Sequence, residues 1–228
     1  MKPLPWSHSS LEKFKNCPHQ YAEVKVYKTV EDSKGDAATW GDWVHTQIEE
    51  HYKQRPTPEW HPNMLPYVPQ IESALNWAGI DAGKRYVEME LGISTSLKPC
   101  TMHAPDVWGR GIVDFLVLRP VVGHGRAIDW KTGKVKPDSK QMKRFALFIF
   151  YNFPRIVTLD TSFEWLQYGE QTRASFALTD VQDIWRELMP ELTQYQQAFK
   201  TEEFPKKQSG LCNGWCPVEH CQHWKPKR

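Results

Sequence analysis

Gly109-Arg-Gly-Ile-Val-Asp-Phe-Leu-Val-Leu118 and, after Val122-Gly-His-Gly125, the run Arg126-Ala-Ile-Asp-Trp-Lys131 decide the fold. Residues 112–118 are nearly all β-branched or large apolar and contain neither Gly nor Pro, which predicts a strand. Asp114 is the anomaly in it, because a carboxylate in a run that buries at least one face must be paired, hydrogen-bonded or metal-bound. The Gly-rich residues 122–125 predict a hairpin connection, and 126–131 returns as a second strand. Side chains alternate along a strand, so Asp129 and Lys131 share one face while Ile128 and Trp130 share the other. Two adjacent strands thus bring two carboxylates and an ammonium to one place.

Two close carboxylates raise each other's pKa unless a divalent cation sits between them. A hard cation such as Mg²⁺ suits carboxylate oxygens and takes further ligands from substrate phosphates. It polarises a phosphoryl oxygen and acidifies a bound water, while Lys131 orients the nucleophile or stabilises developing charge. This is phosphodiester hydrolysis chemistry. The plainer reading is a solvated hairpin whose Asp129 and Lys131 form an ion pair worth little.

The chain has 228 residues, enough for one domain or one domain with an appendage. Its 40% hydrophobic and 25% charged residues are ordinary for a globular protein, and a net charge of +2 does not announce a nucleic-acid binder. A local basic groove is compatible with that total. The N-terminus lacks an apolar signal region and no apolar run is long enough to span a bilayer, so the expectation is a soluble, cytoplasmic protein with no membrane partner. Five Cys in that setting point to metal or cluster ligation rather than disulfides.

Along the chain, Ser9 with Glu12 predicts a capping box opening a short helix that Cys17-Pro18 ends or bends. A helix is predicted over 37–53, with Trp40, Trp43, Val44, Ile48 and Tyr52 as its apolar stripe. His45 lies at the margin of that stripe, one turn after Gly41. A glycine there lets another backbone approach, which would bring His45 to the sheet as a metal ligand; a boundary histidine satisfied by a neighbour is the alternative. Residues 55–69 hold five prolines and read as an irregular connection, followed by a short helix over 70–78 that Gly79 closes. The run from Tyr86 alternates, with Val87, Met89, Leu91 and Ile93 inward and Glu88 and Glu90 opposite; one of those glutamates can join the metal site, and Glu90 is the candidate carried forward. Residues 94–108 read as a loop containing Cys100. A helix over 138–151 would aim Gln141 at the sheet end where Lys131 emerges. Strands are expected at 155–159, 163–168 and 175–178, the first parallel to its predecessor, before a long helix to about Phe199 that Thr179 or Asp180 caps.

Cys212-Asn-Gly-Trp-Cys216-Pro-Val-Glu-His-Cys221 places three thiols in ten residues. Zinc and iron–sulfur clusters want a fourth ligand, and Cys17 is the natural donor; for zinc, His220 or His223 could replace it. Closing the two ends of the chain on one inorganic site would staple it, with 1–30 and 200–228 forming a subdomain.

In order, these pieces resemble the PD-(D/E)XK nuclease superfamily, in its RecB-type branch of CRISPR-associated and phage exonucleases that carry an iron–sulfur cluster. The matching parts are residues 9–21, Gly41 to His45, Glu90, Gly111-Ile-Val-Asp114, Asp129-Trp-Lys131-Thr-Gly133, Gln141 and the C-terminal cysteines. The resemblance implies an α/β fold with a central mixed sheet flanked by helices, a restriction-endonuclease-like core. It implies that His45, Asp114, Asp129 and the Trp130 carbonyl hold Mg²⁺ or Mn²⁺, that Lys131 assists the attacking water, and that Glu90 and Gln141 contribute. It implies a 4Fe-4S cluster on Cys17, Cys212, Cys216 and Cys221. The cysteine spacing, three residues and then four, differs from the branch's two and then five, which keeps zinc open. Phe145 stands where the family often has Tyr. The implied activity is DNA exonuclease action on single strands or free ends, in recombination, repair or phage DNA metabolism, with recombination or CRISPR-type protein partners, in a bacterium or a phage-infected host. A silent DNA-binding subunit and an iron–sulfur structural or redox protein are the rivals.

Overall fold

A computed structural model describes residues 1–32, 35–54, 56–136 and 140–226. The predicted start of a helix at Asp138 and part of the predicted turn at 31–36 lie outside the described residues. The chain divides into two compact units, Met1–Lys34 with Trp185–Arg228, and Gly35–Ile184.

The second unit is an α/β sandwich around six strands: β1 (Lys84–Ser94), β2 (Pro99–Cys100), β3 (Val107–Arg119), β4 (His124–Lys131), β5 (Thr158–Trp165) and β6 (Glu170–Ala177). Their order is β2-β1-β3-β4-β5-β6, antiparallel except for the parallel β4–β5 pair, so the sheet is mixed. The predicted hairpin is the β3–β4 turn, with Arg119 opposite His124. The parallel pair follows from the helix between its strands, since only a crossover can return the chain to the same end of the sheet.

Helices α3 (Asp36–Lys53), α4 (Val68–Ala78) and α5 (Lys140–Asn152) cover the sheet. Val44 and Ile48 of α3 and Ile71, Ala74, Leu75 and Ala78 of α4 share one buried cluster with Phe115, Val117, Ile128 and Trp130. Fully burying side chains of this size is worth about 1.5–3 kcal/mol each, so α3 is fixed against the β3–β4 hairpin. Gly79, at φ 71, caps α4 in the left-handed conformation a glycine adopts without steric cost. Apolar α5, with Phe145, Leu147, Phe148 and Ile149 buried, packs on β1, β3 and β5.

The first unit contains α1 (His8–Asn16), α2 (Pro18–Tyr21) running into a π-helical turn (Ala22–Val26), and most of α6 (Val181–Thr201). Its core is aromatic: Phe14, Tyr21, Tyr195 and Phe199 meet edge-on or tilted, and the Tyr21 and Tyr195 hydroxyls lie 2.6 Å apart. The Met1 ammonium donates to the Phe199 carbonyl at 2.9 Å. No helix among the described residues is long and apolar enough to cross a membrane.

Several local expectations are corrected. The capping box is Ser7 with Ser10, not Ser9 with Glu12: the Ser7 hydroxyl accepts from the Ser10 N–H at 3.1 Å and the Ser10 hydroxyl from the Ser7 N–H at 2.7 Å. Three expected strands over 155–178 are two, β5 and β6. The polar Asp160-Thr161-Ser162 step looks like a break but lies inside β5, where Asp160 binds His124 and Arg126 and Ser162 binds Glu164. The proline-rich connection holds a 3₁₀ helix (Pro62–Tyr67), and Cys100 belongs to the short edge strand β2.

Candidate active site

The β3–β4 ladder runs from Arg119↔His124 to Phe115↔Ile128 and ends there. Asp114 and Asp129 are the first residues past that end. The Trp130 N–H donates to Asp114 Oδ2 at 2.8 Å, so a side chain supplies the acceptor that the parting strand no longer offers. Both carboxylates are buried, at 7% and 4% exposure.

Helix α3 adds His45, whose Nδ1 lies 3.3 Å from Asp114 Oδ2. The neighbouring Val44 anchors that turn in the core. A Cβ on Gly41 would fall 2.9 Å from the Thr132 hydroxyl just beyond β4, so the glycine does permit the close approach expected of it. Lys131 forms an ion pair with Asp129, accepts the face of Phe163 at 4.7 Å from the ring centre, and donates to Gln141 Oε1 at 2.8 Å. Gln141 in turn donates to Asp129 Oδ1 at 2.8 Å. One amide therefore holds the lysine and the carboxylate at once.

The third carboxylate is Glu88. His45, Glu88 and Asp114 bring their ligand atoms within 4.8 Å of one another. Glu90 is not brought into that group; its side chain is 54% exposed and faces His103 at 4.0 Å. Register explains the choice, since Val87↔Phe115 and Met89↔Val113 put Glu88 opposite Asp114. Glu88 also takes φ 49, a left-handed conformation that interrupts the strand's alternation. The apolar-polar pattern does not separate the two glutamates; the register of β1 against β3 does.

Burial pushes the Asp114 carboxyl well above the usual range, and Asp129 and Glu88 add to it, against the Trp130 N–H and Lys131. Burial likewise raises Glu88 to about 7, with Glu49 and Asp129 adding and Lys53 opposing. Burial lowers His45, opposed chiefly by Asp129, and the Trp130 backbone also hydrogen-bonds that imidazole. Asp129 Oδ2, though close to the Lys131 ammonium, is buried without a hydrogen bond. An imidazole whose burial disfavours its protonation and a set of crowded, buried carboxylates are a donor set for a hard divalent cation, so these residues fit such an ion.

In the other unit, Cys17, Cys212, Cys216 and Cys221 line one cavity with Lys207, Val218 and Trp224. Cys17 caps α2, its sulfur accepting from the Gln20 N–H at 3.5 Å. Burial raises the Cys216 thiol, and the other three cysteines act on it in the same sense. Among the described residues, no three of these sulfurs come within 4.8 Å of one another. Cys100 stands apart in β2.

The profile of the PD-(D/E)XK nuclease superfamily matches residues 5–221. No curated protein matches the chain. Among solved structures, a candidate exonuclease from Eubacterium rectale aligns over 96% of this chain and 86% of its own, with a TM-score of 0.51 and 11% identity. The protein SSO0001 aligns over 97% and 87%, with a TM-score of 0.49 and 13% identity. At such identity the first likeness speaks for the fold alone. The profile spans the sheet, the hairpin carboxylates and the cysteine segment together, and the chain belongs to the PD-(D/E)XK nuclease superfamily.

Proposed function

We propose that the chain is a Mg²⁺- or Mn²⁺-dependent deoxyribonuclease that degrades DNA from an end. The observation that carries this is the convergence of His45, Asp114, Asp129, Lys131 and Gln141 where β3 and β4 part. His45, Asp114, Asp129 and the Trp130 carbonyl would hold the cation, and Glu88 takes the place beside them for which Glu90 was the sequence candidate. Bound there, the cation supplies Lewis-acid polarisation of the phosphoryl oxygen and a more acidic water. Lys131, tethered by Gln141, orients the attacking water and offers positive charge to the pentacovalent phosphorus. Asp129, ion-paired with that ammonium, would fix where it stands.

The cysteines would hold a 4Fe-4S cluster. A single tetrahedral zinc with Zn–S of about 2.3 Å needs sulfurs about 3.8 Å apart. Four thiols lining one cavity supply the ligand number that a 4Fe-4S cluster takes, with zinc as the alternative. Exonuclease action in recombination, repair or phage DNA metabolism, with protein partners from those systems, completes the reading and rests on family resemblance.

The test is digestion of end-labelled single- and double-stranded DNA by protein purified without oxygen, in Mg²⁺, Mn²⁺ or EDTA. Label should be lost progressively in either cation and not in EDTA, and Asp129→Ala should lower the rate at least about 10³-fold. Internal cuts without end dependence would replace exonuclease with endonuclease. DNA binding with no cleavage at all would make the chain a silent subunit.

A further inference from the structure

His19, Glu23 and His220 form a second group of metal donors, with ligand atoms all within 4.8 Å of one another. All three belong to the cysteine-bearing unit, and none is a cysteine. His19 Nε2 lies 3.8 Å from Glu23 Oε1. Their spacing of four puts them on one side of a continuous helix that passes from α2 into the π turn. Such π turns are rare and occur often at functional sites.

The carboxylate of Glu23 is held in place. The Thr29 hydroxyl donates to Glu23 Oε2, leaving Oε1 on the histidine side, and the Thr29 N–H donates to the Glu23 carbonyl at 2.9 Å. Metal-binding carboxylates are commonly fixed by outer hydrogen bonds of this kind. The backbone of His19 is fixed as well, its N–H donating to the Pro205 carbonyl at 3.3 Å. His19 and Glu23 side chains retain 17% and 13% exposure and His220 is exposed, so an ion can enter and keep a water.

We propose that His19, Glu23 and His220 bind one Zn²⁺ ion, distinct from the metal of the cysteine-lined cavity, that ties the His220 segment to the N-terminal helix. Two imidazole nitrogens and one carboxylate oxygen suit zinc better than Mg²⁺ or Ca²⁺, and three protein ligands with an open fourth position are a familiar zinc arrangement. Donors at about 2.1 Å from zinc stand about 3.4 Å apart. Side-chain adjustments of about 1 Å or less reach that geometry from the distances here. His19 also borders the cysteine cavity, so the test must tell nitrogen and oxygen ligation from sulfur ligation.

Co²⁺ is the probe, titrated into full-length protein isolated without oxygen with its cysteine site filled. The substitutions Asp114→Ala and Glu88→Gln remove donors at the nuclease site. One equivalent should bind with weak visible d–d absorption and no sulfur-to-cobalt charge transfer, and Zn²⁺ should displace it. His220→Ala and Glu23→Gln should each weaken binding at least tenfold, and Thr29→Val several-fold. Glu23→Gln keeps the shape and the Thr29 bond, so it decides the matter if His220→Ala misfolds by far-ultraviolet circular dichroism. Undiminished affinity in Glu23→Gln, a charge-transfer band, or no saturable binding would overturn the proposal.

Discussion

At the nuclease site, the donors ride on elements whose cores are complete without any ion: Val44 beside His45, Phe115 beside Asp114, Ile128 and Trp130 around Asp129. Around the cysteine cavity, Cys212, Cys216 and Cys221 sit in a run of tight turns. Val218 is its buried apolar anchor, while Leu211 and Trp215 are exposed. Short backbone bonds such as Lys225 N–H to the Cys212 carbonyl at 2.8 Å hold the turns. One site therefore rests on a core and crowds its carboxylates, whereas the other rests on tight turns, backbone bonds and a buried valine. Removing the inorganic group should relax the first and loosen the second.

The largest effect should come from the cysteines. Binding energy at a structural metal site is folding energy when the surrounding segment lacks its own core. Cys17→Ala should abolish bound iron and lower the melting temperature by several degrees, and it should expose 200–228 to limited proteolysis. Stoichiometric iron and an unchanged melting curve would erase the contrast between the two sites. Next in size is Gln141→Ala. It removes the amide shared by Lys131 and Asp129 without touching the proposed cation, so cleavage should fall about 10- to 100-fold while Mn²⁺ affinity changes little. Equal loss in metal binding would make Gln141 a prop for the cation site instead.

How far the sequence reaches follows the same division. The hairpin was legible because β-branched runs, a Gly-rich turn and two carboxylates at strand parity carry their own geometry, and His45 followed from a helical stripe with Gly41 one turn back. Glu88 was not, because parity treats it as equivalent to Glu90 and only register across β1 and β3, with a left-handed backbone at Glu88, separates them. The interior of β5 was missed because its polar residues are satisfied by partners distant in sequence, Asp160 by His124 and Arg126. Ser7 lacks the Ser-x-x-Glu signature that Ser9 with Glu12 carries, and only the reciprocal hydroxyl-to-backbone bonds of Ser7 and Ser10 identify the cap. The His19, Glu23 and His220 group joins residues two hundred positions apart and has no local signature at all.

The smallest effect tests the charge burden directly. Glu88 is raised from 4.5 to about 7 in the fold, and Asp114 is raised too. A carboxyl whose folded pKa exceeds its unfolded one binds a proton on folding, so its contribution is present at low pH and is lost as pH rises through the folded value. Without divalent ions, stability should thus decline between about pH 4.5 and 7, by roughly 1–2 kcal/mol for Glu88 once its partial solvent access is allowed for. Glu88→Gln should flatten that slope, and saturating Mn²⁺ should flatten it in the unaltered chain by holding the carboxylates ionised. Melting curves across this range in EDTA and in Mn²⁺ check both. A slope that Mn²⁺ leaves untouched would mean that the crowded carboxylates do not share a cation, and the fold-built site would then owe its charge arrangement to something other than metal binding.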